Sequence, residues 1–447
     1  MPFFPATEAN RRDMLKEIGV SEFEALLAAV PGAARFEGEL NLPVPLSELE
    51  VSQRLHELAE MNCHAGAYAC FMGGGAYDHF IPAAIGHILS RSEFYTSYTP
   101  YQAEVSQGNL QATYEYQSMI AELTAMDVAN ASMYDGASAM AEAALLMSAH
   151  TGRGDILISE SVHPFYRRVV RTYCHRSGIQ LRTAGIKEGV TDVSMLSAMA
   201  GPDTAGVLVQ HPNFYGCLEP VEKIGTLAHE AGALYGVSVD PISLGILKPP
   251  GVYGADIATG EGQALGNPLN YGGPYLGIFA VRQDLIRRLP GRLVGMTEDK
   301  QGRRGFVLTL QTREQHIRRE KATSSICTNQ QLCALASAVY MTLMGKAGLP
   351  RVAGLCLQKA HYLAEQLSQI KGVRLLFNQP FFKEFAIQLP VSAGEANEAM
   401  LKEHILAGVD LGRFDASMKN ALLVAVTEKR SRKEMDRYVS IIQKIVS

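Results

Sequence analysis

The chemistry-bearing residues of this 447-residue chain gather in five polar, glycine-rich segments. The first is Gly73-Gly74-Gly75-Ala76-Tyr77-Asp78-His79. The second is Phe94-Tyr95-Thr96-Ser97-Tyr98-Thr99-Pro100-Tyr101-Gln102, with Glu104, Ser106, Gln107 and Gly108 just beyond. Hydroxyls and small residues at this density suit loops that offer donors to a ligand; an irregular packed loop is the alternative reading. The triple glycine is no phosphate-binding P-loop, because no Gly-Lys-Ser/Thr follows it.

The third segment, Tyr134-Asp135-Gly136-Ala137-Ser138, runs into a helical pattern. Free backbone N–H groups, a glycine and a hydroxyl at a helix start form an anion site, or Asp135 or Ser138 serves only as a cap. Fourth, Asp240 closes an apolar run, at the kind of strand end where α/β sheets meet ligands. Its carboxylate either pairs with a protonated ring nitrogen or is a turn residue before Pro241. The fifth segment joins Gly260-Glu261-Gly262-Gln263 to Asn267-Pro268 and Tyr271-Gly272-Gly273-Pro274. Gly260, Gly262 and Gly266 miss the dinucleotide fingerprint: the third glycine is one residue late and no helix follows.

Positioning such segments takes a sheet with helices against it. From about 130 to 280, β-rich runs at 155–158, 179–182, 206–209, 234–239, 256–258 and 276–281 alternate with helical patterns at 138–149 and 219–230. That alternation predicts an α/β fold with a mostly parallel sheet. The expected organisation is a helical N-terminal arm over 1–60, a large α/β domain over 61–345 and a small α+β domain over 346–447. The stretch 291–304 is polar and contains Arg and Gly, and the helix over 329–344 is expected to end at Gly345 and Gly348-Leu349-Pro350.

Composition narrows the function. With 41 Lys+Arg against 45 Asp+Glu, a net charge of -4 and 47% hydrophobic residues, the chain is not disordered and has no electrostatic bias toward nucleic acid or a lipid surface. No run reaches the roughly 18 apolar residues of a membrane span, and the beginning lacks the apolar core of a secretory signal. Seven scattered cysteines without a C-x-x-C predict reduced, mostly buried thiols, no metal site and a cytoplasmic location.

In chain order these parts resemble a pyridoxal-phosphate enzyme of fold type I, the aspartate-aminotransferase fold. That resemblance implies a seven-stranded type of sheet, a phosphate on the helix N-terminus, an Asp on the ring nitrogen and, some tens of residues later, a Schiff-base lysine. Between Asp240 and Lys300 the chain has only Lys248, in a Lys248-Pro249-Pro250 loop, and the crossing where the family places its lysine holds Gln263. The amide lone pair of Gln263 is delocalised and forms no imine. A self-sufficient enzyme using Lys248 or Lys321 is one alternative; an inert structural or regulatory subunit is another.

Longer motifs resemble the glycine dehydrogenase (decarboxylating) P-protein of the glycine cleavage system, and within it the N-terminal-half subunit of the form that is split in two. They are residues 73–80, 93–102 with Gln107-Gly108, 127–131, Tyr134-Asp135-Gly136, 260–263, Gly272-Gly273-Pro274, 313–321 and 326–329. The resemblance implies that subunit 2 holds pyridoxal 5'-phosphate and that the pair assembles as two copies of each. It also implies that glycine loses CO2 and that its aminomethyl group passes to the lipoyl arm of the H-protein. Interface candidates are Tyr95, Tyr98, Thr99, Tyr101, Gln102, Ser106 and Gln107, with Thr323, Thr328 and Asn329 as a second segment. Gly136, Ser138, His163, Asp240 and Gln263 would be the remnant of a cofactor cup; His163 is either the old ring-stacking residue or a turn residue before Pro164.

Overall fold

The computed structural model describes residues 6–36, 38–322, 324, 326 and 329–447. The chain forms two compact units, Met1–Asn62 and Cys63–Ser447. In the first, helices Glu8–Ile18 and Glu48–Glu60 each start in a reciprocal cap, Thr7 with Asn10 and Ser47 with Glu50. Each such cap satisfies two N–H groups that a helix start otherwise leaves unpaired.

The second unit is built on a seven-stranded sheet in the order Val128–Ala129, Gly277–Val281, Ile257–Glu261, Leu234–Val239, Thr204–His211, Asp155–Ser159, Gln180–Ala184. Gly277–Val281 runs antiparallel to both its neighbours, and the remaining pairings are parallel. Every residue of Leu234–Val239 is buried, as expected of a strand covered on both faces. Helix Gly136–Thr151 buries Ala139, Met140, Ala141, Ala143, Ala144 and Met147 completely. It seats this closely because Gly206 and Gly236 leave room for Met147: a Cβ on either would stand 2.2 or 2.6 Å from its side chain.

Beyond the sheet, the polar stretch that begins at 291, given no element from sequence, opens an antiparallel hairpin, Leu293–Glu298 with Arg304–Thr309. Its first strand puts Leu293 and Val294 into the core while the rest stays exposed, so its composition looks polar although its backbone is fully paired. The helix that opens at Gln331 ends at Gly345 as expected, where the backbone leaves helical geometry; the span Gln331–Ser368 is two helices joined across that kink, with Pro350 in the second. By length and composition this span is apolar enough to cross a membrane, yet Ala334, Ala336, Ala338 and Tyr340 pack into a core with Leu265, Leu276 and Ile278.

A second, four-stranded antiparallel sheet follows in the order Arg374–Leu375, Glu384–Gln388, Ala421–Ala425, Val409–Asp410. Phe385, Ile387, Leu422 and Val424 from it pack with Tyr438 and Ile442 of the closing helix Arg432–Val446. Phe71 joins the same core, because Ala69–Cys70 pairs in parallel with Ile405–Leu406. That pairing carries the glycine-rich segment 73–79 across to the end of the central sheet.

Candidate functional site

The strand ends of the central sheet, the start of helix Gly136–Thr151, the segment 73–79 and the first residues of the second sheet converge on one buried cup. It is lined by Gly75, Tyr77, Tyr166, Asp240, Glu261 and Lys383, among others, and retains about 30 Å³ of free volume. That admits one or two waters, an order of magnitude less than the roughly 300 Å³ at which small-molecule pockets begin.

Of the residues expected here, Asp240 lines the cup, and Gly136, Gln263 and His163 each bond a residue that does: Glu261, Tyr77 and Gln210. The Gly136 N–H donates to Glu261 Oε2 at 3.0 Å. Glu261 Oε1 accepts from the N–H groups of Gln263 and Leu276, each at 3.0 Å. The helix N-terminus thus holds a carboxyl group of the chain itself, in the position where an anion would otherwise bind. Burial pushes Glu261 up to about 8 against the pull of these three donors.

Asp240 follows the last residue of strand Leu234–Val239 and receives the Lys383 ammonium at 2.7 Å. Lys383 is 1% exposed, and no buried lysine is tolerated without such compensation. Its Nζ also lies 3.7 Å from the centre of the Tyr77 ring, a cation–π contact, and 3.0 Å from His79 Nε2. His79 Nδ1 sits 2.6 Å from Glu428 Oε2. Burial and the Lys383 charge lower the His79 pKa, so a neutral ring donates from Nδ1 to Glu428 and accepts from Lys383 at Nε2.

Gln263 fixes the segment 73–79. Its Oε1 accepts from the Tyr77 N–H at 2.9 Å, and its Nε2 donates to the carbonyls of Tyr77 and Asn267 at 3.2 and 2.7 Å. The Tyr77 hydroxyl donates to Glu384 Oε2 at 2.9 Å, and the Gly74 N–H to Glu384 Oε1 at 2.7 Å. His163 caps helix Pro164–Arg176 through Nδ1, which accepts from Phe165 N–H, while Nε2 lies 2.7 Å from the Gly74 carbonyl. Burial lowers the His163 pKa to about 4. The turn reading of this residue is the one realised: it caps the helix, and its ring packs against the Gly74–Gly75 backbone.

Ser138 is a cap. Asp135 and Ser138 bond reciprocally, side chain to backbone N–H in both directions, at 2.7 and 3.1 Å. Of the donors in the triple-glycine segment, the Gly74 N–H goes to Glu384 and the Tyr77 N–H to Gln263. Lys248 is paired with Glu222 at 2.9 Å with its side chain 70% exposed, and Lys321 is exposed. Neither reaches the cup, which corrects the reading of a self-sufficient enzyme built on one of them. Tyr77 and Glu261 lie in segments marked from sequence, without a role of their own, whereas Lys383 and Glu384 were not singled out. The one signal was Lys383-Glu384 inside the aromatic run Phe381-Phe382 to Phe385, where two adjacent charges are out of place in a buried strand.

The interface candidates lie away from the cup. Tyr95, Tyr98 and Tyr101 are 68%, 76% and 48% exposed. Gln102 is exposed, and Thr99 and Ser106 are partly buried. Gln107 is structural: its amide pairs with Phe306 in both directions at 2.8 Å and so extends the hairpin edge. Asn329 is buried, donating to Ser132 Oγ at 2.9 Å and accepting from Arg292 at 3.3 Å. The Arg292 guanidinium stands 5.5 Å over the Tyr101 ring, which links the two candidate segments. Thr323 and Thr328 lie outside the described residues.

Pyridoxal phosphate, the group implied by this fold, does not fit these residues as they stand. Its phosphate would meet Glu261, its ring nitrogen would meet Lys383, and Gln263 offers no imine-forming nitrogen.

Comparison with known proteins places the chain. The family profile described as "Glycine cleavage system P-protein" matches residues 1–442. A "Probable glycine dehydrogenase (decarboxylating) subunit 1" from Chloroherpeton thalassium is 54% identical over 445 residues, covering 100% of both chains. One from Moorella thermoacetica is 52% identical over 447 residues, again covering 100% of both. Among solved structures, a glycine decarboxylase (P-protein) of the glycine cleavage system in inhibitor-bound form superposes with a TM-score of 0.92 at 43% identity, covering 100% of both chains. A glutamate decarboxylase from Lactobacillus brevis, at TM-score 0.69 and 11% identity, shares the fold alone, covering 94% of this chain and 96% of its own. A mostly parallel sheet with one reversed strand, the Asp240 strand end, the Gly136 helix start and these full-length matches agree: the chain belongs to the glycine cleavage system P-protein family, among its glycine dehydrogenase (decarboxylating) subunit 1 members.

Proposed function

We propose that this chain is the non-lysine subunit of a two-part glycine decarboxylase, acting in the cytoplasm with subunit 2 as two copies of each. In this reading subunit 2 holds pyridoxal 5'-phosphate, which supplies the electron sink for loss of CO2 from glycine. The aminomethyl group then passes to the lipoyl arm of the H-protein. The present chain supplies the exposed hydroxyls of Tyr95, Tyr98 and Tyr101, with Gln102 and the partly buried Thr99 and Ser106, to a shared interface. The segment around Asn329 is joined to them through Arg292 and Tyr101.

The observation that carries this reading is the state of the cup: Gln263 stands where a lysine is needed, and its amide is spent on Tyr77 and Asn267. An enzyme of this chemistry must then obtain its cofactor-bearing site from another chain. The test is exchange of labelled bicarbonate into glycine, in the presence of H-protein and pyridoxal phosphate, with each subunit alone and with both. Exchange is expected only with both. Exchange by this chain alone would overturn the reading.

A further inference from the structure

We propose that residues 73–79, Glu261 and Lys383 form an intramolecular plug that answers, contact by contact, the anchors of the cofactor cup and so keeps this subunit closed to pyridoxal phosphate. The inference deepens the reading above, on which it rests: it assigns a physical device to a cup that the missing lysine alone would only have made non-covalent.

Four separate contacts compose the plug. The anion position at the helix start is taken by Glu261, which accepts from Gly136, Gln263 and Leu276. The cation position at the strand end is taken by Lys383, 2.7 Å from Asp240. His163 is already engaged by the chain itself: Gly74 O lies 2.7 Å from Nε2 at the ring edge, and the Tyr166 ring stacks on the imidazole at 5.0 Å. The lysine position holds Gln263, bonded to both the N–H and the carbonyl of Tyr77. A phosphate and a protonated ring nitrogen are thereby each matched by a side-chain group of the chain itself that bonds as they would. No single substitution reopens all four.

The triple glycine, left without a role by the resemblance, is explained by the same contacts. A Cβ on Gly73 would stand 2.0 Å from Glu384 Oε1 and 2.7 Å from Ala425 Cβ, so no side chain fits. Gly74 and Gly75 have φ of +74° and +109°, in the region that favours glycine. Only this backbone can pass between Glu384 and His163 and deliver Tyr77 to Gln263 and Lys383.

The plug also spans the two larger sheets of the unit. Asp240 directly follows a strand of the seven-stranded sheet and Glu261 ends another, while Glu384 begins a strand of the four-stranded sheet and Lys383 directly precedes it. Segment 73–79 is bonded to both. The cup is therefore a clasp, and the chain is a fixed scaffold at the point where a cofactor-bearing homologue needs room for its ligand.

Two measurements on the full complex of both subunits test this. In hydrogen exchange, peptides containing the amides of Gly74, Tyr77 and Gly136 should exchange as slowly as strand Leu234–Val239 and be unaffected by excess pyridoxal phosphate. Fast exchange, or protection that grows with added cofactor, overturns the plug. In the second, the triple variant Glu261→Ala/Lys383→Ala/Gln263→Lys should bind one more cofactor per copy of this chain than the parent complex does. Borohydride reduction should then label a peptide covering position 263. A variant that melts cooperatively and takes up no additional cofactor refutes the inference, as does a parent chain that already carries one; if the variant fails to fold, the exchange measurement decides. A mobile plug in a pair that is active only when mixed sinks this inference alone, whereas activity of the isolated chain sinks the functional reading itself.

Discussion

The Lys383 ammonium lies 2.7 Å from the Asp240 carboxylate and joins the start of strand Glu384–Gln388 to the end of strand Leu234–Val239, across more than a hundred residues of sequence. The side chains are 1% and 12% exposed. Removing one partner of a buried pair leaves the other charge uncompensated, at a cost of roughly 3–5 kcal/mol. Lys383→Met should therefore lower the unfolding free energy by about that much, and adding Asp240→Asn should restore part of the loss. A double-mutant cycle in urea measures the coupling; a cycle that closes with no interaction energy would show that the pair contributes nothing.

The buried carboxyls make stability fall on the alkaline side. Burial pushes Glu261 up to about 8 and Glu384 and Glu142 up to about 7, against roughly 4.3 for a glutamate in an unfolded chain. A folded pKa above the unfolded one means that the native state keeps protons the unfolded state has released. The stability so contributed is complete below about pH 4.3 and is lost as pH rises through 7 to 8. Glu428 works in the opposite sense: although burial pushes it up, hydrogen bonds from His79 and Phe80 hold it at about 2, so its contribution is present above about pH 4.3 and disappears as pH falls toward 2. Denaturant midpoints measured from pH 5 to 9 should decline, and the decline should be shallower in Glu261→Gln. An unchanged slope in that variant would exclude Glu261 as a source.

The sheet was legible because its strands are continuous apolar runs separated by helical patterns, and each of the six expected between 155 and 281 has a counterpart in the structure. The hairpin Leu293–Glu298 with Arg304–Thr309 was not, since only Leu293, Val294 and Phe306 of it are buried and the rest reads as loop. The cup was half legible. Asp240, Gly136 and Gln263 could be named because local patterns mark strand ends, helix starts and the crossing. What answers them could not: Lys383 and Glu384 come from a separate sheet, and no periodicity records which distant charge enters a cup. Ser138 shows the converse limit, for a hydroxyl at a helix start reads alike as ligand or cap, and only the Asp135 geometry decides.

Glycine positions should separate steric need from tolerance. Gly73→Ala places a Cβ 2.0 Å from Glu384 Oε1, and overpacking of this kind typically costs about 1–3 kcal/mol. Gly86, in helix Ala83–Leu89, has nothing within 4 Å of a Cβ. Gly86→Ala should therefore stabilise the isolated chain by roughly 0.5–1 kcal/mol through helix propensity. Thermal midpoints moving in opposite directions are the expected result; a neutral Gly73→Ala would mean that Glu384 yields freely and does not fix the segment.

The exposed tyrosines test whether this subunit takes part in turnover or only in assembly. Tyr98 is 76% exposed, and the Tyr101 hydroxyl lies 3.4 Å from Arg292 Nη2. Removing an exposed hydroxyl without a buried partner changes the stability of the chain itself by no more than about 0.5 kcal/mol, so Tyr98→Phe should fold and melt like the parent, whereas Tyr101→Phe also removes an acceptor from the buried Arg292 and should melt somewhat lower. If these hydroxyls face the site that subunit 2 completes, both variants should decarboxylate glycine more slowly in the reconstituted pair at full assembly, with co-elution of the two subunits unchanged. A hydrogen bond to a charged group is worth roughly 1.5–3 kcal/mol, which would appear as a rate loss of about ten- to a hundred-fold. A fall in assembly with full turnover once the pair is reconstituted would instead make the loop a docking element. Full activity and full assembly in both variants would remove Tyr98 and Tyr101 from the site, and the search would move to Arg292 and Asn329, the buried pair beneath them.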